Sequence, residues 1–257
     1  MSKVSTQASA SVDRYVRAAI VVALFVAWEI ASRTGLVDAR LLPPASTVLA
    51  TAGELVATPA FRNHLWTTLA QTLAAFVIAV PLGAILGLLI AENRYASEVL
   101  KPLVFFVFSI PKSIFLPMFI LAFGIGFGQK VAFGVFSAIF IMMMTAFAAV
   151  ESVKREHLMV ARVMGARFSQ TVRNVYAPSM APVLLEAVRL AMIFNFTGIL
   201  LAEMYASRTG IGNQIGLWGQ SFMLDRLLAG ILIVSVLAIL FNEGIRVIET
   251  RIGHWRT

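Results

Sequence analysis

Six apolar stretches, most of them close to twenty residues long, constrain this chain more than any other feature of its sequence. They cover about 16–32, 65–91, 102–126, 131–150, 183–204 and 227–245. A helix rises ~1.5 Å per residue, so about twenty apolar residues cross the ~30 Å hydrocarbon core of a bilayer. With 59% hydrophobic and 13% charged residues among 257, the chain lacks the polar surface that a soluble core of this size requires. The pattern predicts an all-α membrane protein with six transmembrane helices. The first stretch has no convincing cleavage site after it and is read as a retained span.

The chain has no cysteine, which excludes disulfides, thiolate metal sites and thiol nucleophiles. Its three histidines, His64, His157 and His254, are far apart and fall in polar segments, so no histidine-based metal or catalytic centre is expected. The formal net charge of +8 does not point to nucleic acid, because the basic residues flank the apolar stretches and form no single face. Segments 1–17, 92–101, 151–178 and 246–257 hold 13 of the 21 Lys and Arg, and the loops on the other side hold six, Arg33, Arg40, Arg62, Lys130, Arg208 and Arg226. That bias places both termini, and segment 151–178, on the cytoplasmic side.

Segment 151–178 is too long and too patterned for a plain connection. It carries Lys154, Arg155, Arg162, Arg167 and Arg173 against Glu151 and Glu156. Leu158, Ala161, Val163, Met164, Phe168 and Val172 recur at roughly helical spacing, Gly165-Ala166 interrupts them, and Pro178 and Pro182 close the pattern. This reads as two short amphipathic helices with a bend at glycine, standing clear of the bilayer as a handle for a soluble partner.

Elsewhere the punctuation is local. After the first span, a turn at Pro43-Pro44 precedes an amphipathic helix, with Ser46 as its expected N-cap. In the second span Gly83 and Gly87 form GxxxG, a spacing that lets two helices approach closely. The third span is broken by Ile110-Pro111-Lys112 and again at Pro117, so it must bend inside the membrane against protein or water. Met142-Met143-Met144 in the fourth reads as adaptable packing. The fifth span carries Glu186, Arg189, Asn195 and Glu203. Ionisable groups at that depth are costly. Arg189 either faces a pathway and attracts an anion or pairs with Glu186 one turn away. Glu203 is either a gate or contact near the outer interface or a solvated helix end. Lys112 either serves the pathway or snorkels to an interface.

Taken together, these landmarks resemble those of ABC-importer permeases of the nitrate, sulfonate and taurine type. Ala161-Arg162-Val163-Met164-Gly165-Ala166, followed by Ala177-Pro178-Ser179-Met180-Ala181-Pro182, is similar to that family's cytoplasmic motif. Leu42-Pro43-Pro44, Thr67-Thr68-Leu69, Ile110-Pro111-Lys112, Leu116-Pro117, Phe123-Gly124-Ile125-Gly126, Arg189 with Glu203, Gly210-Ile211-Gly212 and Trp255 follow in the family's order. The resemblance implies a type I importer fold with a cytoplasmic coupling helix in 151–178. Residues 1–15 then form a disordered cytoplasmic tail, 16–64 the first transmembrane helix and an outer amphipathic segment, 65–250 the core permease domain, and 251–257 a second cytoplasmic tail.

It further implies a homodimeric pathway in the plasma (inner) membrane, two cytoplasmic ATPase subunits and a periplasmic or lipid-anchored substrate-binding protein. The chain itself would be no enzyme and would hold no cofactor, since ATP is bound by the partner subunit. Ala161, Arg162, Met164, Gly165, Ala166 and Phe168 would couple to the ATPase. Pro111, Lys112, Arg189, Asn195 and Glu203 would line or gate the pathway. Three positions depart from the family. Met159-Val160 stands for the usual Glu-Ala pair, Ala187 for a glycine beside the arginine, and Phe196 for a tryptophan. The competing reading is a secondary transporter without an ATPase, which calls for internal repeats and mid-membrane coupling carboxylates. A membrane enzyme would need a clustered catalytic set that the sequence lacks. The resemblance and a modestly basic pathway point to a small, anionic solute resembling a sulfonate, taurine, nitrate or an aromatic carboxylate.

Overall fold

A computed structural model describes the backbone of residues 3–252 and the side chains of residues 16, 19–247 and 249. Every regular element among them is helical: α1 (Lys3–Arg33), α2 (Ala45–Ala57), α3 (Pro59–Glu92), α4 (Arg94–Ser109), a 3-10 turn (Lys112–Phe115) and α5 (Leu116–Phe123) come first. They are followed by α6 (Phe127–Glu151), α7 (Arg155–Val163), α8 (Phe168–Thr171), a π turn (Val172–Tyr176), α9 (Ala177–Ala206), α10 (Ile211–Gln220) and α11 (Leu224–Ile252).

Four of these segments are long and apolar enough to cross a membrane: α3, α6, the continuous stretch from α8 through α9, and α11. The expected third span is a helix pair bent by 93° between α4 and the 3-10/α5 segment, which makes a fifth crossing if the pair counts as one. The break falls at Ile110-Pro111, where proline has no N–H to give and its ring forbids the preceding turn. The sixth expected span, 16–32, lies within α1 and is not among the four.

Of the tail expected over 1–15, the described part from Lys3 lies in α1, which no proline or glycine interrupts before Arg33. The second tail also starts as helix, because α11 runs to Ile252. Met1, Ser2 and residues 253–257, including His254 and Trp255, lie outside the described residues. Ser46 is not the N-cap of α2 either. Pro44 holds that position, and the free amide of Ser46 donates to Glu29 Oε2 at 3.0 Å while its hydroxyl donates to Oε1 at 2.7 Å. A carboxylate from α1 thus satisfies the start of α2, where the helix dipole favours negative charge.

The core is a row in which α6 packs between α3 and α9. Small residues set that spacing. A Cβ on Gly83 would lie 2.6 Å from Met142 Cβ, and one on Gly87 would lie 2.5 Å from Ala146 Cβ, so the GxxxG face seats on α6 within this chain. Met142 and Met143 are buried there, as adaptable packing predicts. Three further contacts fix the direction of the bundle. Tyr176 donates to Glu92 and Lys101 pairs with Glu151 at 2.6 Å at one end; at the other, Thr68 meets Glu203. α7 and α8 therefore sit at the end where α3 finishes and α9 begins, and α10 sits at the opposite end. There Val48, Phe61, Ile211, Trp218 and Ile233 join α2, α3, α10 and α11 in one apolar cluster.

The Pro178/Pro182 pair does not close the handle. Both lie early in α9, and the helical path continues from Phe168 to Ala206. The ring of Pro178 would clash with the carbonyl four residues back, at Asn174. That carbonyl lies in the π turn, whose wider pitch accommodates it.

Candidate functional site

Of the two short helices expected in 151–178, α7 is separate, while α8 is the first turn of the helical path that continues through α9. They meet at Gly165, which has φ +70°, a left-handed backbone that favours glycine. Val153 and Tyr176 are buried against the bundle, but one face of the segment is open. Met159 is 66% exposed, Val163 82%, Met164 80% and Phe168 51%. A monomeric soluble surface rarely keeps so many large apolar groups adjacent without a partner. Between the two helices lies a cavity of about 470 Å³ lined by His157, Val160, Ala161, Met164, Ala166 and Gln170, among others. Ala161, Met164 and Ala166 thus share one groove, with Arg162, Gly165 and Phe168 exposed at its edges. Met159 and Val160 extend the exposed apolar face of α7.

At membrane depth the expected pathway residues separate. Lys112 Nζ donates to the carbonyls of Phe108 at 2.6 Å, Ile110 at 3.1 Å and Val107 at 3.3 Å, and lies 4.7 Å from the Phe108 ring centroid. It caps the last turn of α4, where free carbonyls and the helix dipole favour a cation. It also lines a cavity of about 290 Å³ with Phe133, Ser137, Phe194, Thr197 and Leu201. Both uses hold at once, since the break at Pro111 exposes the carbonyls that the lysine satisfies. Lys112→Met is expected to destabilise the protein by about 1–2 kcal/mol, a lost charge-assisted cap. The melting temperature of the purified protein in detergent measures it.

Arg189 does not pair with Glu186, which is exposed. It pairs instead with Glu249 of α11 at 2.8 Å, tying α9 to α11 near the handle end. The 3-residue spacing suggested an intrahelical pair, but the partner came from sixty residues away, which no local pattern encodes. Asn195 is fully buried, with Nδ2 donating to the Thr72 carbonyl at 2.7 Å and Oδ1 without a partner. It bridges α9 to α3 inside the row of core helices.

Glu203 is neither solvated nor at an open surface. It is fully buried. Thr68 Oγ1 lies 2.8 Å from Oε1 and 3.0 Å from Oε2, and the Gly212 amide donates to Oε2 at 2.8 Å. Thr68 Oγ1 in turn accepts from the Ile211 amide at 2.9 Å, and His64 Nδ1 accepts from the Gly210 amide at 3.0 Å. Gly210 has φ +101°, and a Cβ there would lie 2.0 Å from Glu203 Oε1. The Glu203 carboxylate therefore anchors the α9–α10 connection to α3. Close by, buried Lys130 donates to the Ala206 carbonyl at 2.5 Å, closing the end of α9. Sequence reading named Glu203 and the glycines but not Thr68, His64 or Lys130 as their partners; the Thr67-Thr68-Leu69 landmark was the available signal.

The family model described as "Binding-protein-dependent transport system inner membrane component" matches residues 79–254. The putative aliphatic sulfonates transport permease protein SsuC of Bacillus subtilis (strain 168) is 26% identical over 238 residues, 93% of this chain and 85% of its own length. The taurine transport system permease protein TauC of Escherichia coli (strain K12) is 27% identical over 242 residues, 92% and 87% respectively. The nitrate import permease protein NrtB of a Synechocystis species is 22% identical, over 92% of this chain and 89% of its own. Among solved structures, the MetNI methionine ABC transporter in an inward-facing conformation matches with TM-score 0.60 and 23% identity, covering 76% of this chain and 94% of that one.

Proposed function

Since the chain belongs to the family of binding-protein-dependent transport system inner membrane components, and to its nitrate, sulfonate and taurine branch, we propose that two copies form the translocation pathway of an ATP-driven importer. Each copy contributes six membrane crossings: α1, α3, the bent α4–α5 pair, α6, α9 and α11. Both termini and the α7–α8 handle face the cytoplasm, in a plasma membrane. Two ATPase subunits grip the handles, and a binding protein delivers solute to the opposite face. The solute is small and anionic, in keeping with relatives named for aliphatic sulfonates, taurine and nitrate. Hydrolysis belongs to the partner, and this chain performs no bond chemistry.

The observation that carries this reading is the exposed apolar handle. An amphipathic helix presented outward with anchors at Met159, Val163 and Met164 is the form that a groove on a soluble partner accepts. Closure of the two ATPases then moves the handles as rigid bodies, and the bundle switches between inward-open and outward-open states. Gly165→Asp tests the coupling. No heavy atom lies within 4 Å of a Cβ placed on Gly165, so the bundle is expected to fold, but an aspartate strains the bend and sets a charge beside the apolar face. The tagged wild type is expected to co-purify with a stoichiometric ATPase in mild detergent, and the variant to lose at least about tenfold of it, a cost of ~1.4 kcal/mol or more at the interface. Equal ATPase recovery from both would contradict the assignment of the handle.

A further inference from the structure

The end of the bundle opposite the handle holds a further cavity, of about 470 Å³, between the α5–α6 turn and the α9–α10 connection. Its wall includes Gln71, Gly126, Phe127, Lys130, Arg208 and Thr209. Three independent features make it cationic and rich in donors. Lys130 is 2% exposed and spends one N–H on the Ala206 carbonyl, leaving two. Arg208 is exposed and makes no ion pair among the described residues. Gln71 is also 2% exposed, and its side-chain amide makes no hydrogen bond among the described residues, so its Nε2 is the group that can donate to an anion.

The start of α6 adds to these. Gly126 is its N-cap and offers no side-chain cap, so the first amides of a 25-residue helix are free toward this end. Cβ atoms on Gly126 and Gly128 would meet nothing within 4 Å, so the backbone there is open to a ligand. The nearest opposing charge is Glu203, whose carboxylate is already held by Thr68 and the Gly212 amide. It offsets part of the Lys130 charge and leaves Arg208 uncompensated.

We propose that this cavity is an anion-receiving subsite at the mouth of the pathway, where a small oxyanion is held by Arg208, Lys130, Gln71 and the start of α6. The placement at the mouth rests on the importer reading above; the anion site itself rests on the cavity alone. Backbone amides with a guanidinium recognise the planar or tetrahedral oxygens of a sulfonate or nitrate group through charge-assisted hydrogen bonds. An arriving anion would meet this charge before entering the apolar interior.

Methanesulfonate is a suitable probe, titrated into the purified protein in nanodiscs at constant ionic strength with sodium gluconate as balance. The melting temperature of the wild type is expected to rise saturably, because a ligand that binds the folded state stabilises it. Arg208→Gln and Gln71→Leu are each expected to weaken the apparent affinity about tenfold, one lost charge-assisted or buried hydrogen bond. Arg94→Gln, an exposed charge at the opposite end of the bundle, is expected to respond as the wild type does. No saturable rise in the wild type, or an equal response in Arg208→Gln and Gln71→Leu, would overturn the subsite. If methanesulfonate binds as described while no ATPase co-purifies, the importer reading fails and the anion site stands. If the ATPase co-purifies and the anion does not bind, the reverse holds.

Discussion

Glu203→Ala is expected to destabilise the bundle by about 3–5 kcal/mol, the cost of removing one partner from a buried charged network. Two groups lose their acceptor at once, the Thr68 hydroxyl and the Gly212 amide, and buried Lys130 loses the opposite charge nearest to it. Neither Thr68 nor Gly212 can turn to water, because both are buried. Glu203→Gln keeps the shape and an acceptor oxygen, so its loss should be smaller, about 1–3 kcal/mol. The order Ala > Gln follows from hydrogen bonding; equal losses would mean that packing alone fixes the site. Melting of each variant in the same detergent, with α9–α10 proteolysis as a local readout, measures both.

Gly134→Leu is expected to be of similar size. Gly134 sits on α6 where three helices meet. A Cβ there would lie 2.6 Å from Asn195 Oδ1, 2.7 Å from Ile199 Cδ1 and 2.9 Å from Ala75 Cβ. The α3 and α9 neighbours are helical and buried, so no contact can simply turn aside. Overpacking of this kind costs about 1–3 kcal/mol, and more when helices must separate. Separation would also part Asn195 Nδ2 from the Thr72 carbonyl. Gly134→Ala should be milder in proportion to its smaller volume. Failure of the protein to insert, or a melting temperature lowered by several degrees, is the expected outcome; a wild-type melting temperature in Gly134→Leu would show that α3 and α9 do not close on α6 as described.

These two positions mark what the sequence can carry. Apolar stretches gave four of the spans directly, the break at Pro111 was visible as a proline in an apolar run, and GxxxG pointed to close packing. Gly134 stands alone in its span and gave no signal, because its partners come from two other helices. The handle was legible because amphipathic spacing and a glycine act over neighbouring residues. For Arg189 the spacing offers either a pathway-facing side chain or a pair with Glu186, and the partner it has, Glu249, is near only after the fold closes. Glu203 stands out as a costly charge toward one end of its span, but that it is buried and not a solvated helix end depends on α3 and α10 covering it. The π turn before Pro178 could not be read either, because proline at that spacing ordinarily ends a helix and here sits just past a widened one.

Solute uptake by vesicles holding the purified complex and its binding protein separates an ATP-driven importer from a gradient-driven carrier. Taurine, methanesulfonate and nitrate would be supplied as labelled solutes, with and without internal ATP, and under an imposed proton or sodium gradient. Uptake of at least one solute that requires ATP, ignores the gradients and falls about tenfold or more with Gly165→Asp is the result expected of handles driven by an ATPase. Uptake driven by an ion gradient without ATP, and unaffected by Gly165→Asp, would contradict it and identify a secondary transporter.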